Sequence, residues 1–569
     1  MFAWMRAHGE GIGAGLIFFI LALLFHWHSV LHPLTSVGSM TDELLLSWTL
    51  DWNADYFAHP EGSLFDTPFF APFPRTLAYT EHVVGLSLIA WPVTRLSDTP
   101  LLSYNLLLIL STWLTGWCAW LLTRGLGAGW KGAVIAGIIA ALAPTRLLHA
   151  PGHVNILSQW WIPLSLYFLH RYLRTHDRRI LLFIGASVLG QGLVSPQGFA
   201  LQLVALAVVC GAFWCAQKEQ RKRIFSVIAV VGLALILVSP LLIPYAQTMN
   251  DPSVVRPPAL RLLHAPSLSE ILLPQWAMPF SQLERNVGAG VIPLLLIVCA
   301  LFTLRRKRDA EENPDARTVT PYLLLALTGI LLALGPAMTL VRDGPSLPGL
   351  YAALEYLPGF AAIRAVGRFS LLSLLGLAVI VGLRWRSLTA WAGRRAPILQ
   401  AALCALLLAE FTVTAPRAYS LDPTLLAARP VDEWLKRIPR ECLLAEVPFK
   451  DFRTTAGVEE SARFIYYTRY HGLRIVNGYA GAAPVGYYPL ERTAHHGDPA
   501  VALAGLKAWG ADIIVIHPDL FTPPRGQEIL AHLRSRADVE EITRFPDSFV
   551  FRFRGEGVPD CARAAPAGV

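Results

Sequence analysis

The chain has 569 residues, 48 Lys and Arg against 40 Asp and Glu, a formal net charge of +8, and is 54% hydrophobic but only 15% charged. Soluble globular proteins carry about 25% charged residues, so this composition excludes an ordinary soluble enzyme and implies a polytopic membrane protein. The basic residues sit in short runs between apolar segments, the pattern of membrane loops, which excludes a nucleic-acid-binding face.

Apolar runs approaching the ~20 residues needed to span a bilayer fall at 12–30, 101–122, 132–148, 156–173, 180–194, 198–216, 224–245, 288–304, 321–341, 366–383 and 397–415. The first follows Arg6, lacks a small-residue cleavage site and leads into His32, Pro33 and Asp42. It is expected as an uncleaved helix rather than a signal peptide. The run 83–96 is short and holds Pro92 and Arg95, so an interfacial helix is expected there. With the N-terminus inside and this run omitted, every basic cluster falls on one side: Arg124 and Lys131, Arg171 to Arg179, Lys218 to Arg223, Arg305 to Arg308, and Arg384 to Arg395. The positive-inside rule then predicts eleven spans, N-in and C-out, with residues 31–100 as one large external loop. The acidic stretch 309–317 reads as a solvated cytoplasmic loop without assigned function.

Two domains are expected: a transmembrane domain over 1–417 and an extracytoplasmic α/β domain over 418–569. Strand patterns at 442–448, 473–477, 512–517, 538–544 and 548–553 alternate with helical patterns at 428–438, 499–509 and 525–536. Five cysteines (118, 210, 215, 299 and 404) lie in apolar segments as small hydrophobes. Cys442 and Cys561 lie in the polar region and would form a disulfide if it is outside the cytoplasm. The stretch VNGYAGAAPVGYYP, rich in Gly and Tyr, is either a substrate-facing loop or a plain turn.

Candidate chemistry starts at Asp42 and Glu43. A carboxylate near the outer membrane face, beside an apolar cavity, can have a raised pKa and act as a general base. The competing reading is that Thr41 and Asp42 merely cap a helix. Leu44, Leu45, Trp48 and Trp52 at helical spacing predict an amphipathic helix along the membrane surface. Glu81 and His82, at the far end of the loop, can bind acceptor hydroxyls or anchor the interface. His149 and His153 are four apart, but Pro151 and Gly152 break the helix a zinc pair would need. With no third ligand nearby, no metal site is expected; they and Arg146 are expected to line the cavity of Asp42. Arg364 and Arg368, on one helix face at the outer end of the tenth span, can hold a lipid phosphate or snorkel to headgroups. Glu410, an intramembrane acid, needs a partner, and an arginine of the tenth span is the obvious one.

An uncleaved first helix, an external loop opening with Asp-Glu, the later Tyr79–Thr80–Glu81 element, and the series TRGLG, PTRLLHAPGH and NILSQWWIPLSLYFLHRY resemble the GT-C superfamily of membrane glycosyltransferases. The series also resembles bacterial members related to the mannosyltransferase-like group. The resemblance covers roughly residues 10–415 and implies a polyprenyl-phosphate-linked sugar donor, with a glycan, lipid or protein acceptor. It also implies a bacterial inner membrane and Asp42 as the base, Glu43 being the alternative. The loop lacks the Asp-x-Asp of metal-dependent oligosaccharyltransferases, so no cofactor is expected. The competing readings are a lipid or glycan flippase and a membrane-anchored cell-envelope assembly protein.

Overall fold

A computed structural model of the chain describes residues 2–97, 99–255, 259–273, 284–304, 316–449, 454–554 and Cys561. Every expected apolar run carries a helix. They are α1 (Phe2–Phe25), α4 (Pro100–Gly125), α5 (Trp130–Leu142), α6 (Trp161–Thr175), α7 (Ile180–Val194), α8 (Pro196–Ala216), α9 (Arg221–Met249), α10 (Val291–Leu304), α11 (Ala316–Ala333), α12 (Ser370–Thr389) and α13 (Ala396–Thr414). Between α1 and α4, besides the short helix Trp27–Leu31, lie α2 (Asp42–Ala58) and α3 (Val84–Leu96), the latter on the expected interfacial run. Five stretches, Pro100–Gly125, Trp130–Leu147, Pro196–Ala216, Lys218–Met249 and Val366–Thr414, are long and apolar enough to cross a membrane. The molecule is an integral membrane protein. The basic run 305–308 and most of the acidic stretch, 309–315, lie outside the described residues.

Helix starts follow local chemistry. Thr99 and Ser195 each accept a backbone N–H of the turn they open, from Leu101 and Gly198, and proline follows each as the first helical residue. Glu410 departs from the expected arginine partner. Its carboxylate accepts the backbone N–H groups of Val291 and Ile292, the start of α10, where orphan donors and the helix dipole favour an anion.

The C-terminal region forms a five-stranded mixed sheet. Its strands are β1 (Leu443–Val447), β2 (Arg474–Ile475), β3 (Ile513–Ile516), β4 (Val539–Arg544) and β5 (Phe549–Phe553), in the order β4-β5-β3-β1-β2. β1 runs parallel to β2 and β3, and β5 is antiparallel to β3 and β4. The expected strands are all present. Two helices have no counterpart among the predicted ones: Thr455–His471 and Tyr487–His496. Cys442 and Cys561 are joined by a disulfide.

This region is stitched into the loop before α4. Ile475 N–H donates to Pro68 O at 2.8 Å, and Phe70 and Ala71 N–H groups donate to Asn477 O and Ile475 O at 3.0 Å. Trp48 Nε1 donates to Thr468 Oγ1 at 3.0 Å, and Arg469 pairs with Asp51 at 3.0 Å. That packing corrects the expected surface helix. Residues 43–50 of α2 are buried on every side, between Thr455–His471, α3 and α4, rather than laid on lipid along one face.

Candidate active site

The site is assembled where α2 begins. Asp42 occupies the first turn of α2, and Thr41 makes no side-chain cap, so the helix-capping reading finds no hydrogen bond there. Gly152 sits against Asp42 with φ +97°, and a Cβ at Gly152 would stand 2.8 Å from that of Asp42. Only glycine gives this backbone at no steric cost. Tyr104 fixes the turn: its hydroxyl donates to Ala150 O at 3.0 Å and accepts from Gly152 N–H at 2.9 Å.

The two oxygens of Asp42 face different partners. Oδ1 accepts a hydrogen bond from the Tyr479 hydroxyl at 2.7 Å. Oδ2 lies 3.6 Å from His153 Nε2, which lies 3.8 Å from Glu284 Oε1. Arg368 donates to both oxygens of Glu284, through Nε at 2.9 Å and through Nη2, and to Gln197 Oε1 at 2.7 Å. Burial pushes the Glu284 carboxyl up, but the charge and hydrogen bonds of Arg368, together with His149 and His153, outweigh it and hold the group well below the usual range. Glu81 is raised by burial against the pull of its Ser195 hydrogen bond and of the nearby charges of Arg368 and Arg364. Burial lowers His149 to about 3, and lowers His153 as well, so both rings are neutral at pH 7.

Asp42, Glu81, His149, His153, Arg364 and Arg368 therefore stand in one electrostatic neighbourhood. Arg364 and Arg368 do not share a helix face, however. Arg364 precedes a single 3-10 turn, Val366–Phe369, and α12 begins only at Ser370. Arg364 is exposed and meets no hydrogen-bonding or ion-pair partner among the described residues, and its guanidinium lies about 3.5 Å from where a Cβ of Gly481 would be. Arg368 is buried, with its recorded hydrogen bonds going to Glu284 and Gln197.

Three other expected residues are committed to the fold. Glu43 is fully buried; its carboxylate accepts Gly38 and Ser39 N–H groups at 2.9 and 3.3 Å, and burial pushes it up to about 8, so it is protonated at pH 7. His82 is buried and neutral, lowered to about 3 by burial, with Nδ1 accepting Val84 N–H. Arg146 donates to Ala141 O, Ser111 O, Thr115 Oγ1 and Leu157 O, spending its guanidinium on the broken end of the helix rather than aiming it at a phosphate.

The missed residues are Glu284, Tyr479, Tyr104 and Gln197. Tyr479 belongs to the Gly- and Tyr-rich stretch singled out in the sequence, and the structure makes that stretch part of the site. Gly481 N–H donates to Tyr79 O at 3.0 Å, and a Cβ on Gly478 would strike Phe70 at 2.3 Å. Glu284 carries no local signal; it arrives from a distant segment.

His149, His153 and Glu284 place one ligand atom each within 4.8 Å of one another, closing the pair with the third ligand that the sequence lacked nearby. Two neutral imidazoles and a carboxylate suit a divalent cation, and Nδ1 of each histidine is buried without a partner. Arg368 already holds both carboxylate oxygens, so a cation would have to share Glu284 with it.

A family profile described as a domain of unknown function, DUF6311, matches residues 13–411. The chain belongs to this family. The match spans α1 to α13 almost entirely, so the DUF6311 region contains the site residues described here except Tyr479 and its Gly- and Tyr-rich stretch. No curated protein matches the chain in sequence. Among solved structures, the archaeal oligosaccharyltransferase AglB from Archaeoglobus fulgidus, in complex with an inhibitory peptide and a dolichol-phosphate, is similar with a TM-score of 0.56. It is 11% identical, over 91% of this chain and 70% of AglB. The arabinofuranosyltransferase AftD from Mycobacteria, in its R1389S mutant form, is similar with a TM-score of 0.59 at 13% identity, over 95% of this chain but only 41% of AftD. A second structure of the A. fulgidus oligosaccharyltransferase, in complex with Zn and sulfate, reaches 0.52 at 13% identity over 90% of this chain. At such identity the likeness is one of fold: this DUF6311 protein shares the fold of these solved oligosaccharyltransferase and arabinofuranosyltransferase structures.

Proposed function

We propose that the protein is a glycosyltransferase that moves a sugar from a polyprenyl-phosphate donor to an acceptor hydroxyl at the external face of a bacterial inner membrane. The observation that carries this reading is Asp42, half-buried beside the neutral His153, whose ring also feels the charge of the unpaired Arg364. Asp42 accepts the proton of the acceptor hydroxyl. The freed oxygen forms a bond to the anomeric carbon as the bond to the phosphate breaks, inverting that carbon. The electron pair leaves with the lipid phosphate, which Arg364 receives with charge-assisted hydrogen bonds. Arg368, spent on Glu284 and Gln197, contributes position and field rather than direct contact. In this scheme every step uses the chain's own side chains, and no metal is required.

Eleven spans, N-in and C-out, fit this reading, with residues 1–417 as the membrane domain and 418–569 outside, helping to hold the acceptor. The Cys442–Cys561 disulfide supports that side, since disulfides persist in oxidising compartments. A second reading is favoured by the His149, His153 and Glu284 cluster: a divalent cation held there would supply charge at the leaving phosphate. The flippase reading has less support, because the charged cluster lies at one end of the bundle rather than at its middle.

The test is Asp42→Asn. Transfer from a polyprenyl-phosphate sugar should be abolished while expression and membrane insertion persist; full activity in that variant would sink the assignment.

A further inference from the structure

A cavity of about 340 Å³ lies between α8 and α9, at the opposite end of these helices from the active site. Leu206, Cys210, Trp214, Ile224, Val227 and Val231 line it, and all are apolar. Trp214 is eighteen positions along α8 from Pro196, about 27 Å at the helical rise, whereas Ser195, beside Pro196, bonds Glu81. The cavity is therefore remote from the chemistry.

Its mouth is basic. Lys218, Arg221, Lys222 and Arg223 stand within six residues, against one acid, Glu219. Arg221 stacks over the Trp214 ring at 5.3 Å and donates to Trp214 O at 3.3 Å, which joins the charged rim to the apolar wall. Gln220 donates to Leu173 O at 3.3 Å, tying the start of this basic stretch to the end of α6. Lys218 and Lys222 are exposed and meet no acid among the described residues. Another basic loop differs: Arg124 is spent on Glu10 at 3.0 Å.

We propose that this cavity and its basic rim bind one anionic phospholipid, with an acyl chain between α8 and α9 and the headgroup phosphate on Lys218, Arg221 and Lys222. Zwitterionic lipid fills the apolar wall equally well but gains less from the rim, where each cation near the surface is worth about 1 kcal/mol to a negative headgroup.

The experiment is native mass spectrometry of the full-length, delipidated protein after incubation with phosphatidylglycerol or phosphatidylcholine. The wild type should retain phosphatidylglycerol and release phosphatidylcholine. The triple variant K218Q/R221Q/K222Q should hold phosphatidylglycerol about tenfold or more weakly, since three rim charges are lost. Gly211→Leu should also lose it with all charges intact. Gly211 lines the cavity and a Cβ there meets nothing within 4 Å, so the substitution adds bulk to the cavity wall. Melting temperature confirms folding of each variant, and if the triple variant unfolds, Gly211→Leu decides alone. Equal retention of both lipids, or retention of phosphatidylglycerol unchanged in a folded variant, overturns the proposal. So does its displacement by decaprenyl phosphate, which would assign the cavity to a polyprenyl chain.

Discussion

The Tyr479 hydroxyl donates to Oδ1 of Asp42 at 2.7 Å, joining residues 437 positions apart in the chain. Its loop is pinned on both sides, by Tyr487 bonding Gly478 N–H and O, and by Gly481 on Tyr79 O. The phenol thus holds one carboxylate oxygen and leaves Oδ2 beside His153. A hydrogen bond to a charged group contributes about 1.5–3 kcal/mol. A double-mutant cycle of Asp42→Ala and Tyr479→Phe, read by thermal unfolding in detergent, should show coupling of about 1–3 kcal/mol. Additive effects would mean that the two residues do not support each other. If Asp42 is the base, Tyr479→Phe should also lower kcat by about tenfold or more, the rate equivalent of that bond.

Arg368 is 6% exposed and bound to Glu284 from two nitrogens. Removing one partner of a buried pair leaves an uncompensated charge, which costs about 3–5 kcal/mol. Glu284→Ala should therefore lower the melting temperature far more than Glu284→Gln, whose amide oxygen still accepts from Arg368. Equal, small shifts would show that water reaches Arg368.

The helices were legible because ~20-residue apolar runs have few alternatives in a membrane, and the strands of the C-terminal sheet showed as short β-rich runs between turn residues. Asp42, His149, His153 and the two arginines were legible as polar residues at the ends of apolar segments. Which of these polar residues the fold leaves free and which it commits to hydrogen bonds was not. Arg146 and Glu43 look in sequence like Arg364 and Asp42; only the fold shows that backbone groups consume the first two. Glu284 and Tyr479 come from segments far away in the chain, and no local spacing predicts such a meeting. The surface-helix expectation failed for a related reason: a helix in a membrane protein can be covered by the protein's own distant region, here through Thr468 and Arg469.

The disulfide closes a 119-residue separation. Loop entropy predicts that losing it costs about 4–5 kcal/mol in the chain-entropy treatment. Cys561→Ser should lower the melting temperature and remove the mobility difference between reduced and non-reduced gels. Alkylation before lysis also reports sidedness. Blocked thiols at 442 and 561 in intact cells fit the oxidising side of the membrane, whereas free, reactive thiols there would contradict a C-out topology.

Chelation separates the two mechanistic readings. With Arg368 balancing Glu284, transfer activity should survive EDTA, changing less than about twofold. A loss of about tenfold or more, restored by one divalent metal and absent in a His149→Ala background, would instead place a working cation on His149, His153 and Glu284, since the bound ion would supply several kcal/mol of charge stabilisation.

The pH dependence of stability has opposing contributors with definite signs. His82 and His149 fall from 6.5 to about 3 through burial. Their contribution is complete above pH 6.5 and is lost as pH drops, because the unfolded chain takes up protons that the folded one refuses. Each costs about 1.4 kcal/mol per pH unit in that window. Glu43, raised from 4.5 to about 8 by burial, acts oppositely: its contribution is complete below pH 4.5 and is lost as pH rises through 8. Between about pH 6 and pH 5, His82→Gln should flatten the acid loss of stability by one proton's slope, about 1.4 kcal/mol per pH unit, and Glu43→Gln should steepen it by the same amount. Thermal unfolding of the two variants across that range checks both signs at once. Parallel curves for His82→Gln and the wild type would mean that His82 titrates freely in the folded protein, against its burial.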